Sequence, residues 1–215
     1  MAASSTRSRL SRGDRMQQTL LAAHSLFAER GYAAVTMDEI AAAVGVTKPL
    51  LYNYFGNKER LYIACMERSG DALVRTILEA VGDSRSPSEA LNDGLRAFFS
   101  FLDADRAAWA VLFDETLPQS GELADRVADY RGRLIELVAN SLLAQLPAKR
   151  RGAARIEVEA LSTALLGAAE ALARWWLRSE ALSAQQAAEL LIETVEPGLR
   201  LRSGSRPTTP KGDPS

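Results

Sequence analysis

TMDEIAAAVGVTKPLLYNYFGNKE, residues 36–59, decides the fold. Thr36 followed three residues later by Glu39 is a capping box, so a helix starts at residue 37 and carries Ile40 and Val44 on its inner side. Gly45 closes this helix at about residue 44. Thr47 can cap a second helix over about 48–54, with Pro49 in its first turn, where the missing N–H does no harm. Gly56 stops it, and Asn57 caps a longer helix that begins at Lys58. Two short helices across a tight Gly45-Val46 turn have the spacing of a helix-turn-helix, which an αα-hairpin that merely packs would share.

Residue types sharpen the choice. Leu51 and Phe55 mark the core side of the second short helix, which leaves Lys48, Leu50, Tyr52, Asn53 and Tyr54 on the other. Two Tyr, an Asn and a Lys suit a major groove. Lys reaches guanine acceptors, Asn reads adenine, Leu50 meets a thymine methyl, and Tyr hydroxyls reach phosphates. Lys58 can bind phosphate together with the N–H groups of its own first turn. Thr36 and Thr47 either cap their helices or donate hydroxyls to phosphate. The candidate DNA-binding set is Thr36, Thr47, Lys48, Pro49, Leu50, Tyr52, Asn53, Tyr54 and Lys58.

Working outward, Ser11-Arg-Gly-Asp14 has the form of a capping box. It opens a helix with Met16, Leu20, Ala23 and Phe27 on one side, which Gly31 ends and Tyr32 follows with an apolar contact. Arg7, Arg9 and Arg12 form a basic arm that lies along the DNA backbone, enters a minor groove, or is simply flexible. Toward the C-terminus the spacing predicts helices over about 58–80, 86–102, 106–117, 120–146 and 153–179, and a last one from 183 that weakens at Pro197. Residues 203–215, rich in Pro, Ser, Thr and Gly, read as disordered. There is no internal repeat and no alternating run of strand type.

Composition agrees with an all-α fold. Among 215 residues there are 36 Ala and 30 Leu against 14 Gly and 8 Pro. The net charge of −1 conceals an asymmetry: +3 over residues 1–60, −7 over 61–199 and +3 over 200–215. A basic N-terminal unit on an acidic body points to a polyanion partner for the first part. One Cys excludes an internal disulfide and, with one His, a Cys/His zinc site; with that single His on the first helix no Ser/His or Cys/His catalytic site of the usual kind is readable, so no enzyme and no cofactor is expected. His24 and Cys65 read as structural. No apolar run approaches the ~20 residues of a membrane span, and Met1–Arg15 carries four Arg without an apolar core, unlike a secretory signal. The expectation is a soluble cytoplasmic protein without membrane attachment.

The stretches Leu26-Phe-Ala-Glu-Arg-Gly-Tyr32, Thr36-Met-Asp-Glu-Ile-Ala41, Val44-Gly-Val-Thr-Lys48 and Leu51-Tyr-Asn-Tyr-Phe-Gly-Asn-Lys-Glu59 together resemble the N-terminal domain of the TetR/AcrR family of bacterial transcription regulators. The resemblance covers about a quarter of the chain. It implies a helix-turn-helix domain over 1–56 with its basic arm, a ligand-binding and dimerisation domain over 57–202, and the tail 203–215. It further implies a homodimer on a palindromic double-stranded operator, read by the third helix, and a small-molecule effector in the body. Lys48, Tyr52, Tyr54 and Lys58 carry over as DNA contacts. Leu50 departs from the small or polar residue common at its position.

In the body, Phe98, Phe101, Trp109, Phe113, Tyr130 and Trp175 are either core or the lining of an apolar effector pocket, and the expected effector is hydrophobic. Asp114 and Glu115 beside Phe113 either pair with a cationic ligand or form a solvated face, and the solvated face is the reading adopted. The last two helices are the expected dimer interface by the same resemblance. Ala164-Leu-Leu-Gly-Ala-Ala169 is also small and apolar on most sides, as a doubly buried helix would be. The interface candidates are Leu165, Gly167, Ala168, Leu172, Trp176, Leu191 and Val195. Trp175 and Trp176 point ~100° apart on a helix, so one faces the body and the other the partner; Trp176 is placed with the partner, with the reverse assignment left open. The function implied is a ligand-responsive regulator, most readily a repressor released from its operator. A helical carrier with a vestigial head and a DNA organiser without an effector are the competing classes.

Overall fold

Capping chemistry sets most of the boundaries. The computed structural model describes residues 11–144, 146–179 and 181–204, and within them the chain forms nine helices and no strand. They are α1 (Arg12–Ala34), α2 (Met37–Val44), α3 (Lys48–Phe55), α4 (Lys58–Val81), α5 (Pro87–Ala104), α6 (Arg106–Leu112), α7 (Glu122–Ala144), α8 (Ala148–Ser179) and α9 (Ala184–Gly204). Reciprocal capping boxes form at Ser11/Asp14 and at Thr36/Glu39. Within α1 the helix is interrupted at Gly31, which sits at φ +75° and ψ 163°.

Four boundaries differ from the sequence reading. α6 stops at Leu112 rather than 117, because the Asp114 carboxylate accepts the Thr116 N–H and hydroxyl, both at 2.7 Å, and draws the chain into a turn. α7 begins at Glu122, after Gly121 at φ +93°. α8 begins at Ala148, directly after Pro147, where Arg151 reaches back to the Leu146 and Ala144 carbonyls at 3.0 Å. α9 runs through Pro197 to Gly204, so residues 203 and 204 belong to it. The rest of the proposed tail and the arm residues Arg7 and Arg9 lie outside the described residues. No helix among the described residues is long and apolar enough to cross a membrane.

The chain divides into two compact units. The first comprises residues up to Thr76 together with Phe101–Leu134. Its core is Ala23, Phe27, Ile40, Leu51, Leu61, Tyr62 and Met66, all buried, with α1 packed on α2 and α6. Phe27 and Tyr32 both set their rings against Tyr62, with centroids 5.0 and 5.2 Å apart. Burial pushes the Cys65 thiol up to about 12, so it behaves as a small hydrophobe. His24 bonds to the Ser69 hydroxyl at 2.8 Å, and burial lowers its pKa.

The second unit comprises Ile77–Ser100 and residues from Ile135 onward. Here α8 packs on α9, and Phe99 meets Trp176 edge-on at 5.7 Å. Trp176 also donates its indole N–H to the Leu182 carbonyl at 2.7 Å. Arg96 of α5 pairs with Glu189 of α9 at 2.8 Å, and Ser88 donates to Glu196 at 2.6 Å.

Two glycines give opposite expectations for one substitution. A Cβ on buried Gly70 would collide with the phenol of Tyr130, whose ring is itself buried. Gly70→Ala should therefore lose ~1–3 kcal/mol through overpacking. A Cβ on Gly132, mid-α7, meets nothing within 4 Å, so Gly132→Ala should gain ~0.5–1 kcal/mol of helix propensity. Thermal melts by circular dichroism should move down for the first and up for the second. A Gly70→Ala protein as stable as wild type would contradict the packing described.

Candidate nucleic-acid interface and cavity

The α2–α3 pair is held from both ends. The Thr36 hydroxyl donates to Glu39 Oε2 at 2.8 Å, and the Thr36 N–H donates to the same oxygen at 2.8 Å. Arg30 closes on the other oxygen at 2.7 Å. Hydrogen bonds from Arg30, then from Thr36, hold the Glu39 carboxyl down at about 2. At the far end of α2, Gly45 at φ +72° lets the Val46 N–H reach the Ala41 carbonyl at 3.0 Å. The chain then enters α3 with Pro49 in its first turn.

Leu51 and Phe55 are buried, and the opposite side of α3 exposes Thr47, Lys48, Pro49, Tyr52 and Asn53. At ~100° per residue, positions 48, 49, 52 and 53 share one face. Leu50 and Tyr54 are half-buried and lie off that face. Tyr54 stacks edge-on against Phe55, and the Arg12 guanidinium sits 5.7 Å above its ring. The Thr36 hydroxyl is committed to its cap, whereas Thr47 makes no side-chain cap bond. Lys48 is paired with Asp38 at 2.8 Å, a contact that raises its pKa. Lys58 rests 4.2 Å above the Tyr32 ring, and burial lowers its pKa against an opposing pull from Glu39.

A cavity of about 90 Å³ lies in the second unit among four helices. α4 contributes Ile77, Leu78 and Val81; α5 contributes Leu91, Leu95 and Phe98; α7 contributes Leu137, Val138 and Leu142; α8 contributes Leu165, Leu166 and Ala169. The polar side chains in the wall are Ser141 and Ser162, and the Ser162 hydroxyl is tied back to the Val158 carbonyl at 2.8 Å. Of the six aromatic candidates, Phe98 lines this cavity. Phe101 is half-buried in the first unit, and Trp109 and Phe113 stack on each other there at 4.0 Å. Tyr130 is buried against Gly70, and burial pushes its phenol up to about 12. Trp175 is 46% exposed on the outer side of α8.

The interface candidates also divide. Trp176 is 2% exposed within the single chain, because Phe99 and the Leu182 carbonyl enclose it, so the assignment of Trp176 to a partner is corrected. Leu191 is likewise buried in its own protomer, and Leu165 faces the cavity. Ala168, Leu172 and Val195 are half-buried, while Gly167 is exposed with open space where a Cβ would be. The exposed row on α8 is Ile156, Ala160, Ala164, Gly167, Ala171 and Trp175, spaced three or four residues apart. Ile156 is 83% exposed, and Leu190 of α9 is 47% exposed. Ile156 was missed by the sequence reading, although the i, i+3, i+4 series leading from it to Trp175 was there to find.

A family model described as bacterial regulatory proteins, tetR family, matches residues 20–65. Another, described as tetracyclin repressor-like, C-terminal domain, matches residues 87–196. The HTH-type transcriptional activator FasR of Mycolicibacterium smegmatis is 29% identical over 172 residues, covering 80% of this chain and 76% of FasR. A TetR-like transcriptional regulator from Rhodococcus sp. RHA1 is 35% identical, with a TM-score of 0.71, over 92% of this chain and 100% of that one. AibR, solved with isovaleryl coenzyme A and operator DNA, is 25% identical with a TM-score of 0.66, over 84% of this chain and 97% of AibR.

Glu39 gives a pH test of the head. Its folded pKa lies below its unfolded value of 4.5, so its stabilisation is present above that value and is lost as pH falls toward 2. The melting-temperature gap between wild type and Glu39→Gln should be widest above pH 5 and should close on acidification. A gap independent of pH would contradict the Arg30–Glu39–Thr36 arrangement.

Proposed function

The chain belongs to the tetR family of bacterial regulatory proteins, and from that premise we propose that it is an effector-released repressor that binds a palindromic operator as a homodimer. The observation that carries the DNA reading is the exposed face of α3. A tight turn and two buried anchors, Leu51 and Phe55, leave Thr47, Lys48, Pro49, Tyr52 and Asn53 outward together. Lys48 exchanges Asp38 for a guanine edge or phosphate, and Asn53 reads a base. In a two-fold dimer the α3 helices meet half-sites about 34–36 Å apart or a multiple of that. The exposed α8 row from Ile156 to Trp175, with Leu190 of α9, is the surface proposed for the second protomer; its small residues permit close helix approach.

The cavity gives the effector its chemistry. Its wall holds no charged side chain and two hydroxyls, one already bonded, so it accepts an aliphatic chain and rejects a charge. Thioesters of coenzyme A carry such a chain with the charged part remote from it, and AibR, at 25% identity, was solved with one of them and with operator DNA. An acyl group is accordingly the proposed occupant, and its binding favours a conformation with weaker operator affinity.

Selection of bound fragments from a random DNA library tests the reading: an enriched palindrome supports it, and salt-sensitive binding without enrichment overturns it. On the selected duplex, Asn53→Ala should lose ~1–3 kcal/mol and relax preference at one position. Lys58→Ala should instead weaken all sequences alike and reduce the salt slope by ~0.9. Ala169→Leu, which fills the cavity, should abolish displacement by an acyl-coenzyme A series and leave operator affinity within about twofold, since Ala169 lies outside the α3 face. Displacement of the variant at the wild-type ligand concentration would remove the cavity from the account.

A further inference from the structure

The break at Gly31 turns two backbone N–H groups toward the loop that follows α6. Tyr32 N–H donates to Asp114 Oδ2 at 2.6 Å, and Ala33 N–H donates to the Thr116 hydroxyl oxygen at 3.2 Å. Asp114 is fixed for this by its other oxygen, which accepts both the N–H and the hydroxyl of Thr116. A bond of that length from an amide to a carboxylate is charge-assisted and among the stronger ones available. An L side chain at position 31 would be strained at φ +75°, and its Cβ would lie 2.8 Å from Thr116 Oγ1. Glycine therefore permits both the backbone turn and the close approach.

The same carboxylate stands at the end of a contact series that reaches the DNA-binding head. Tyr62 donates to the Val111 carbonyl at 2.6 Å, and its oxygen is 3.5 Å from Asp114 Oδ2. Tyr62 meets the Tyr32 ring edge-on, and the Lys58 ammonium rests on that ring. Arg30, one residue before the break, holds Glu39 at the start of α2. One anionic side chain on the loop after α6 thus fixes the junction between α1 and α2 and the ring that carries Lys58.

We propose that Asp114 is a positioning residue for DNA binding: by holding the Tyr32 N–H it sets the direction in which α2 and α3 leave α1 and the location of Lys58. This rests on the DNA-binding reading above. Asp114 touches no DNA in this role, so removing it disorders the approach of the head without deleting a phosphate contact.

The test uses the full chain and the duplex selected by the wild-type protein. Asp114→Ala should raise amide exchange at Tyr32 and Ala33 in the free protein by about tenfold or more, the factor expected for losing one hydrogen bond to a charged acceptor. Its dissociation constant for the duplex, measured on the DNA-competent fraction after titration of active protein, should rise by a similar factor at every salt concentration. Its salt slope should stay that of wild type, unlike Lys58→Ala. Asp114→Asn, which keeps an acceptor oxygen, should fall between the two. Gly31→Ala, which acts from the opposite side of the contact, should repeat the Asp114→Ala pattern. A role confined to stability would lower the competent fraction and leave the dissociation constant unchanged, and that result would overturn the proposal. If wild type selects no duplex, the DNA-binding reading falls and the positioning role falls with it. If wild type binds and Asp114→Ala binds equally well, the positioning role alone falls.

Discussion

The α1–α2 junction depends on one backbone constraint, the positive φ of Gly31. An uninterrupted α1 would carry Tyr32 around its own axis and away from Tyr62, and α2 would leave in another direction. With the break, Phe27, Tyr32 and Tyr62 form one aromatic cluster, Arg30 reaches Glu39, and Lys58 settles on Tyr32. The head is therefore more than three helices with a favourable pattern. Its exposed α3 face is oriented by a short stretch of irregular chain, and irregular chain needs partners for its N–H groups. Asp114 and Thr116 supply them.

Much of this was legible in the sequence because it is local. Capping boxes, a closing glycine and a proline in a first turn all act within four residues, and α2 and α3 form where they predict. The buried pair Leu51 and Phe55 follows from helical spacing alone. What escaped the reading is long-range or competitive. Asp114 looked like surface charge because its main partner, Tyr32, lies 82 positions away in sequence. The early end of α6 follows from the same side chain, which outcompetes the helix for the Thr116 N–H. Neighbouring tryptophans on one helix are a two-way choice that composition cannot make. Trp176 goes inward because Phe99 and the Leu182 carbonyl wait for it. The cavity was invisible for another reason: it exists where four separate apolar stripes meet, and none of them differs from ordinary core.

The electrostatics follow a similar division. The N-terminal stretch is basic and the body acidic, yet Lys48 and Lys58 are each engaged, one with Asp38 and one with an aromatic face. Both engagements are weak enough to exchange for phosphate or a base edge. An exposed ion pair contributes little, and a half-buried ammonium whose pKa is lowered by burial gains from a phosphate partner. The free protein holds its cations in place and keeps them available. The cavity is the opposite case, with no charged side chain in its wall and two hydroxyls. Helices α4, α5 and α7 each contribute residues both to the unit that holds the head and to the unit that holds the cavity, so the covalent chain itself joins the two sites.

Reciprocity provides the most direct test of that joining. Calorimetric titration of the acyl-coenzyme A that displaces DNA at the lowest concentration should be carried out on the free protein and on the protein saturated with its selected duplex. Linkage requires that DNA weaken the ligand by the same factor by which the ligand weakens DNA, typically ~5–150-fold. Matching factors in that range are the predicted result. Equal ligand affinity in the free and DNA-bound protein would contradict the account, because the two sites would then be independent.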